Sequence, residues 1–468
     1  MFISTRHYDN FTYRHIVLGS LRKTKEILKL KKINFLFFKI IKKPSFKYYL
    51  FLIKLILFGN IFSNNRANIK YENILVGRFA LAQTFKNFET YLSKIKFYYF
   101  FITNLYNAGK LIYSAKEYEK QYKIKAIYID HCCYLNGVLY SYFSLKKKII
   151  YTNNYPSNLY GINFSKNKNI VFRSYEESLK LKKDSKKDKI NFNFTDQFAK
   201  KMFTKKNFIP WMSTTKFVKS TNIDFSLYDY IVYAHSFTDG QLFYGYDGFE
   251  NVFDWLNFTL IELAKTNKKV LVKAHPNFYR KTHGIQSIYD NKIFTILEKK
   301  YKNNPNIFIL NKPVFNNKIL KKISKDTILI SHHGTVLLEG SYYNFKSICS
   351  QSTFFNKNFK ISNTWKNKLE YKYLLNKDFK KLIHSNRKDI LYLIYKIFLD
   401  DKSYSGKKFW SNIIQKACGI KSQSEWQKKI EIFSNTKNIN QRYILLKKLV
   451  KNKDEEIIKK ISQNINEY

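Results

Sequence analysis

A chain of 468 residues has room for two sizeable cores, and its 45% apolar and 18% aromatic content excludes wholesale disorder. The formal net charge of +50 would suit phosphate-rich partners, but the excess is mostly Lys spread along the chain beside abundant Asn, Ile, Phe and Tyr, a bias that A/T-rich codons explain. No zinc-finger spacing, RRM signature or basic heptad region accompanies it, so nucleic acid is not the expected partner, and anionic lipid headgroups or a polyanionic acceptor suit such a surface equally well.

Residues 1–70 are rich in Lys and Phe and read as a basic helical extension. MFISTRHYDNFTYRH lacks the compact apolar core of a cleavable signal peptide. Residues 48–62, YYLFLIKLILFGNIF, are too short and carry Lys54 too centrally to span a bilayer. With the basic residues 39–47 before them they fit either an interfacial helix or a core helix of the first domain. Residues 73–76 then predict a strand, 79–123 a helix rich in core aromatics, and 124–129 a second strand ending at Asp130 and His131. After a further helix, 148–152 read as a third strand, and 180–189 form a solvated charge run. Cys132, Cys133, Cys349 and Cys418 include no CxxC and no disulfide framework, which fits a reducing, cytosolic compartment.

Beyond a boundary near residue 220 the pattern becomes regular. Strands at 230–234, 269–273, 306–310 and 327–330 alternate with helices at 251–266, 285–302 and 314–323, which predicts right-handed crossovers and a parallel sheet covered on both faces. Nowhere does GxGxxG occur, so dinucleotide oxidoreduction loses its main support. The remaining residues from 386 read as charged helices packing across the domains.

Three of these strands end in polar clusters that a parallel sheet delivers to one edge. They are His235, Ser236 and Asp239; Lys273, His275 and Pro276; and Ser331, His332, His333, Gly334 and Thr335. Gly334 lets the chain turn and Thr335 is the expected N-cap of a helix over 336–343, so amides should face an anion there. Glu339 lies one turn on; near the mouth its carboxylate would repel phosphate, which makes it an acceptor for ribose or sugar hydroxyls. The spacing offers no HxH, HExxH or DxD, and adjacent His332 and His333 should point apart, so no metal is expected. Charge developing on a leaving nucleotide would then be met by the loop amides, Lys273, His275 and His333. Asp130 could take a proton from an acceptor hydroxyl, with His131, His235 and Asp239 as rivals, although an Asp at a strand end also serves as an ordinary N-cap.

VKAHPNF followed by SHHGTVLLEGSYYNFKSICS resembles the capsule polysaccharide biosynthesis family, which includes Kdo transferases, and more loosely the CDP-glycerol glycerophosphotransferases. HSFTDGQLFYGYDGFENVFDWLNFTLIELA is similar to the H-x-x-x-D-x-x-x-F and Trp block of surface-carbohydrate proteins. The likeness covers about residues 230–350. By that resemblance His275 and Pro276 match the HP turn, with His275 on the donor phosphate. Ser331, Gly334 and Thr335 match the small-residue loop, Glu339 the carboxylate that holds the donor ribose, and His235 and Asp239 the earlier block. Asn344, Phe345 and Lys346 depart from the family's helix exit.

The resemblance implies an α/β, GT-B-like chain: two Rossmann-like domains facing a cleft, an acceptor domain over 71–220 and a donor domain over 221–385, with helical extensions. It implies a metal-independent glycosyltransferase that moves a sugar from a cytidine or uridine nucleotide to a glycan or glycolipid acceptor. Its expected place is the cytoplasm or the cytoplasmic face of the inner membrane. A CDP-glycerol-type transferase, an epimerase of the same fold and an inactive assembly factor are the rival readings.

Overall fold

The computed structural model describes residues 40–399 except 42, 125, 130–133, 147–148, 153–162, 166–181, 183–184, 186–189, 205–216, 219–220, 243–244, 280–283 and 354–358. The chain divides into two compact units, residues 1–188 with 214–390, and residues 189–213 with 391–468. Both β-sheets belong to the first unit.

Helix α1, Phe46–Leu57, is capped by Ser45, whose side chain accepts from the Tyr48 N–H. Its Tyr48, Leu52 and Leu55 recur at helical spacing and join one core with Phe79 of α2 (Val76–Thr84) and Phe101 and Leu105 of α3 (Lys94–Gln121). The helix read as part of an N-terminal extension thus belongs to the first core. Close approach depends on Gly109, where an added Cβ would stand 2.3 Å from the Tyr48 ring. The strand expected over 73–76 does not form. Glu72 and Asn73 both take positive φ, Tyr71 and Ile74 pair only as an isolated bridge, and Val76 already opens α2. A tight turn built on two left-handed residues other than Gly leaves no signal in a short apolar run.

Strand β1 (Ala126–Ile129), helix α4 (Asn136–Leu145) and strand β2 (Ile149–Thr152) follow as a parallel crossover. β3 (Asn163–Ser165), which the sequence does not announce, adds antiparallel to β2. In the second unit, helix α5 (Phe192–Thr204) buries Thr195, Phe198, Ala199, Met202 and Phe203, an apolar stripe hidden in the sequence by flanking Lys and Asn.

The larger sheet is wholly parallel: β4 (Tyr230–Tyr233), β5 (Val270–Lys273), β6 (Ile307–Leu310), β7 (Ile328–Ser331), β8 (Ser347–Ser350) and β9 (Asn363–Trp365), in spatial order β6-β5-β4-β7-β8-β9. Helices α6 (Val252–Leu263), α7 (Ile285–Tyr301), α8 (Asn316–Leu320), α9 (Thr335–Tyr342) and α10 (Lys368–Leu375) connect and cover it. Because β4, β5 and β7 are buried on both faces, they read as unbroken apolar runs. Val232, Val272 and Ile330 face one core with Trp255, Phe294 and Trp365, while Ile231, Leu271 and Leu329 face the other with Ile319 and Phe345. This is the expected α/β class, and the helix-covered parallel sheet beside a smaller one is consistent with a GT-B-like plan. Strand order reverses between β4 and β7, which makes the gap beyond their carboxyl ends the topological switch point where ligands of open α/β sheets bind.

Candidate functional site

Tyr233 pairs in register with Lys273 on one side and Ser331 on the other, so the residues that follow each strand leave the sheet side by side. His235 lies with its ring centroid 3.9 Å from that of His333 and 5.0 Å from that of His275. Three of the predicted clusters therefore meet. His275 Nδ1 accepts from the Asn277 N–H at 3.2 Å, where Pro276 begins a single helical turn, Pro276–Tyr279. Burial pushes His235 down to about 4, and repulsion from His332 adds to the effect. His333 is likewise held well below the usual imidazole range, first by burial and then by His235, His332 and His275. These rings are neutral at pH 7, and His235 Nδ1 is buried without a hydrogen-bond partner.

Beside the rings the β7 strand gives way to helix α9. Gly334 itself, not Thr335, is the N-cap, at φ 145° and ψ 161°, a conformation essentially closed to other residues. Thr335 becomes the first helical residue because the turn is completed one position earlier than its side chain would dictate. Gly334 and Thr335 are half-exposed, and a Cβ at Gly334 would meet nothing nearer than 3.9 Å. At the helix start the Leu337 N–H bonds to Gly334 O at 3.2 Å. Ser331 Oγ, buried, donates to His333 O at 3.1 Å and so shapes the loop from within.

The adjacent histidines do not point apart as expected: their rings stand roughly perpendicular at 4.9 Å, with the two Nδ1 atoms facing each other. His332 turns inward, edge-on to Trp255 and Trp365, with Nε2 2.9 Å from Asp247 Oδ2, although off the hydrogen-bond direction. Its Nδ1 lies 2.6 Å from His333 Nδ1, so one of the two carries a shared proton. Asp247 thereby touches the crevice through two imidazoles.

Behind His235 the chain is held by a buried carboxylate absent from the sequence-based candidates. Asp290 of α7 accepts from Ser236 Oγ at 2.6 Å and from the Phe237 N–H, the Thr238 N–H and Thr238 Oγ1 at 2.9 Å each. Gln241 closes the same loop by donating to Ser236 O at 2.9 Å and Asp239 O at 3.0 Å, and accepts from the Val252 N–H at 2.8 Å. Asp239 Oδ1 accepts from the Tyr134 hydroxyl, and the Gly240 N–H donates to that hydroxyl at 2.9 Å. Tyr134 stands shortly after β1, so the chain leaving the small sheet reaches the β4 loop. Asp130 and His131 lie outside the described residues.

Glu339 does not stand at the mouth as expected from its helical position; it is 8% exposed. Asn316 Nδ2 donates to its Oε2 at 2.8 Å, and burial raises its carboxyl to about 7 against the opposing pull of Asn316 and Lys273. Lys273 is also interior, its amine 5.8 Å over the Tyr233 ring and lowered to about 8 by burial, with Glu339 opposing. Strand alternation put Lys273 on the face beneath α9, where Glu339, Asn316 and Tyr233 share a buried polar pocket. Asn316 and Tyr233 carried no motif; only their places at a helix start and a strand end hinted at them.

Glu339 offers a direct check. A carboxyl raised above its unfolded value of about 4.3 binds a proton in the folded state first, so it makes stability fall as pH rises from there to about 7. Glu339→Gln should flatten that slope by roughly 1–3 kcal/mol across the window, measured by urea unfolding at stepped pH. A residual slope of the same sign remains from Asp254 and Asp290, both raised to about 6 by burial. An unchanged slope would place Glu339 in water.

Among the described residues no group of three or more His, Cys, Asp and Glu side chains is placed to hold a metal ion. Nor is any described helix long and apolar enough to cross a membrane.

No family model matches the chain, and no curated protein matches it either. Among solved structures it is similar to the UDP-GlcNAc 2-epimerase of Methanocaldococcus jannaschii in complex with UDP-GlcNAc and UDP, at 13% identity over 62% of this chain and 80% of that chain, with a TM-score of 0.24. A likeness at that score carries no weight for fold or function.

Proposed function

We propose that the crevice between β4 and β7 holds the phosphate end of a nucleotide-activated sugar, and that the protein is a GT-B glycosyltransferase building a cell-surface glycan of capsule or lipopolysaccharide type. One observation carries this reading: His235, His275 and His333 gather beside the half-exposed, glycine-capped start of α9 at the switch point of the parallel sheet.

In this reading the amides of Gly334 and Thr335 take the distal phosphate, with His275 and His333 donating to its remaining oxygens. Ser331 and Pro276 fix the two loops. Glu339, bonded to Asn316 in the buried pocket, supports α9 from beneath, and Lys273 beside it supplies positive potential from below. The acceptor hydroxyl oxygen bonds to the anomeric carbon as the bond from that carbon to the phosphate oxygen breaks. Its proton goes to a carboxylate: Asp130, with His131 beside it, or Asp239, which Tyr134 already orients. The nucleotide leaves with the bonding electrons, and its charge is met by amides and imidazoles without a metal ion.

Turnover of CMP- and UDP-sugars, read as nucleotide release with an extracted glycolipid acceptor, tests the proposal. His275→Ala should lower kcat/KM by about 10²-fold or more, as loss of one donor to the leaving group does elsewhere. Full activity in His275→Ala would refute the assignment, and activity lost to a chelator and restored by magnesium would refute its metal-independent part.

A further inference from the structure

We infer that the outward face of α1, with the turn after it, is a docking surface for an anionic lipid bilayer; this stands apart from whatever the crevice binds. Helix α1 buries Tyr48, Leu52 and Leu55 at steps of four and three. At about 100° per residue, the opposite stripe is Phe46, Leu50, Ile53 and Leu57, again at steps of four and three and again apolar. A surface helix of a globular domain carries polar residues there. All four are exposed, Phe46 by 77% and Leu57 by 76%. Phe58 at 75% and Phe62 at 54% continue the strip. The Phe62 ring lies 4.9 Å from that of Tyr98, which brings the strip to the start of α3, where Ile95 and Tyr99 are exposed as well. Single exposed apolar side chains are ordinary, but a run of this length marks a contact surface.

Charge identifies the occupant. Lys47 and Lys54 fall on one flank of α1, Lys43 precedes it, and Lys94 and Lys96 bracket Ile95, all exposed. Between Glu26 and Glu72 the sequence contains no acidic residue. Glu89, in the turn before α3, is paired with Lys96 at 2.9 Å. An apolar strip edged by Lys, with the one neighbouring carboxylate, Glu89, already paired, is complementary to a surface with acyl chains inside and negative headgroups outside. A nucleic acid would use the lysines and leave the strip in water. With 12 residues, α1 lies in the interface and does not cross it.

The test is co-sedimentation of the full chain with phosphatidylcholine vesicles and with vesicles containing phosphatidylglycerol. The anionic vesicles should bind the protein at least tenfold more strongly, and salt should weaken that binding. Leu57→Glu with Phe58→Glu should abolish binding with the melting temperature unchanged, because both side chains are already in solvent. Lys47→Gln with Lys54→Gln should weaken binding to anionic vesicles alone. Equal binding to neutral vesicles, binding that survives Leu57→Glu with Phe58→Glu, or self-association through the strip without vesicle binding would each overturn the proposal.

Discussion

Replacing Asp290 by Ala is expected to lower the unfolding free energy by about 3–5 kcal/mol and to disable the crevice with it. The carboxylate accepts from two backbone N–H groups and two hydroxyls of residues 236–238 while fully buried. Deleting it leaves those donors in the interior, each costing about 1–3 kcal/mol before water or rearrangement relieves part of it. The segment it holds connects His235 to Asp239, so its release moves both. Asp290→Asn retains an oxygen for the backbone donors and should lose clearly less. Calorimetric melts of the two variants separate the cases; equal losses would show that the side chain acts through packing.

A comparable loss is expected at Trp365, for a different reason. Its indole is fully buried, 4.1 Å from the Tyr371 ring centroid, stacked on Trp255 at 6.4 Å and edge-on to His332 at 6.0 Å. Trp365→Ala removes that whole payload and leaves a cavity beneath His332, a change worth about 3–5 kcal/mol. Trp365 Nε1 has no hydrogen-bond partner, so Trp365→Phe loses area but also an unsatisfied N–H, and should cost much less. Chemical denaturation measures both, and the His332 ring resonances report whether the imidazole shifts. A tolerated Trp365→Ala would mean that this edge of the sheet is not packed as described.

Most of the central sheet could be read from residue order because β4, β5 and β7 are buried on both faces, and burial leaves continuous apolar runs. The meeting of His235, His275 and His333 followed from parallel topology alone. β8 and β9 could not be read in the same way. SICS and NTW look like loop, yet Ser347 Oγ lies 2.6 Å from Ser362 Oγ and Asn363 Nδ2 donates to Ser347 O at 3.0 Å, so the polar side chains satisfy one another inside. Asp290 was invisible because a lone Asp within a helix looks solvent-facing until its long-range partners are known. Glu339 was placed on the right helix but at the wrong depth, since the packing of α9 against the sheet, not its spacing from Thr335, decides which residues reach water. Thr335 lost the cap to Gly334 because loop geometry outranked side-chain preference.

Heat denaturation of the full chain with CMP, CDP, UDP and GDP, run on the wild type and on Gly334→Ala, probes the phosphate grip most directly. At about 100 times the dissociation constant a ligand specific to the folded state adds about 2.7 kcal/mol. CDP or UDP should raise the wild-type midpoint by several degrees, and more at pH 6 than at pH 8, because a bound diphosphate draws protons onto imidazoles that burial otherwise holds low. Gly334→Ala, strained at φ 145°, should melt lower and lose the nucleotide response. A wild-type midpoint that no nucleotide moves, or an equal shift retained in Gly334→Ala, would contradict the account.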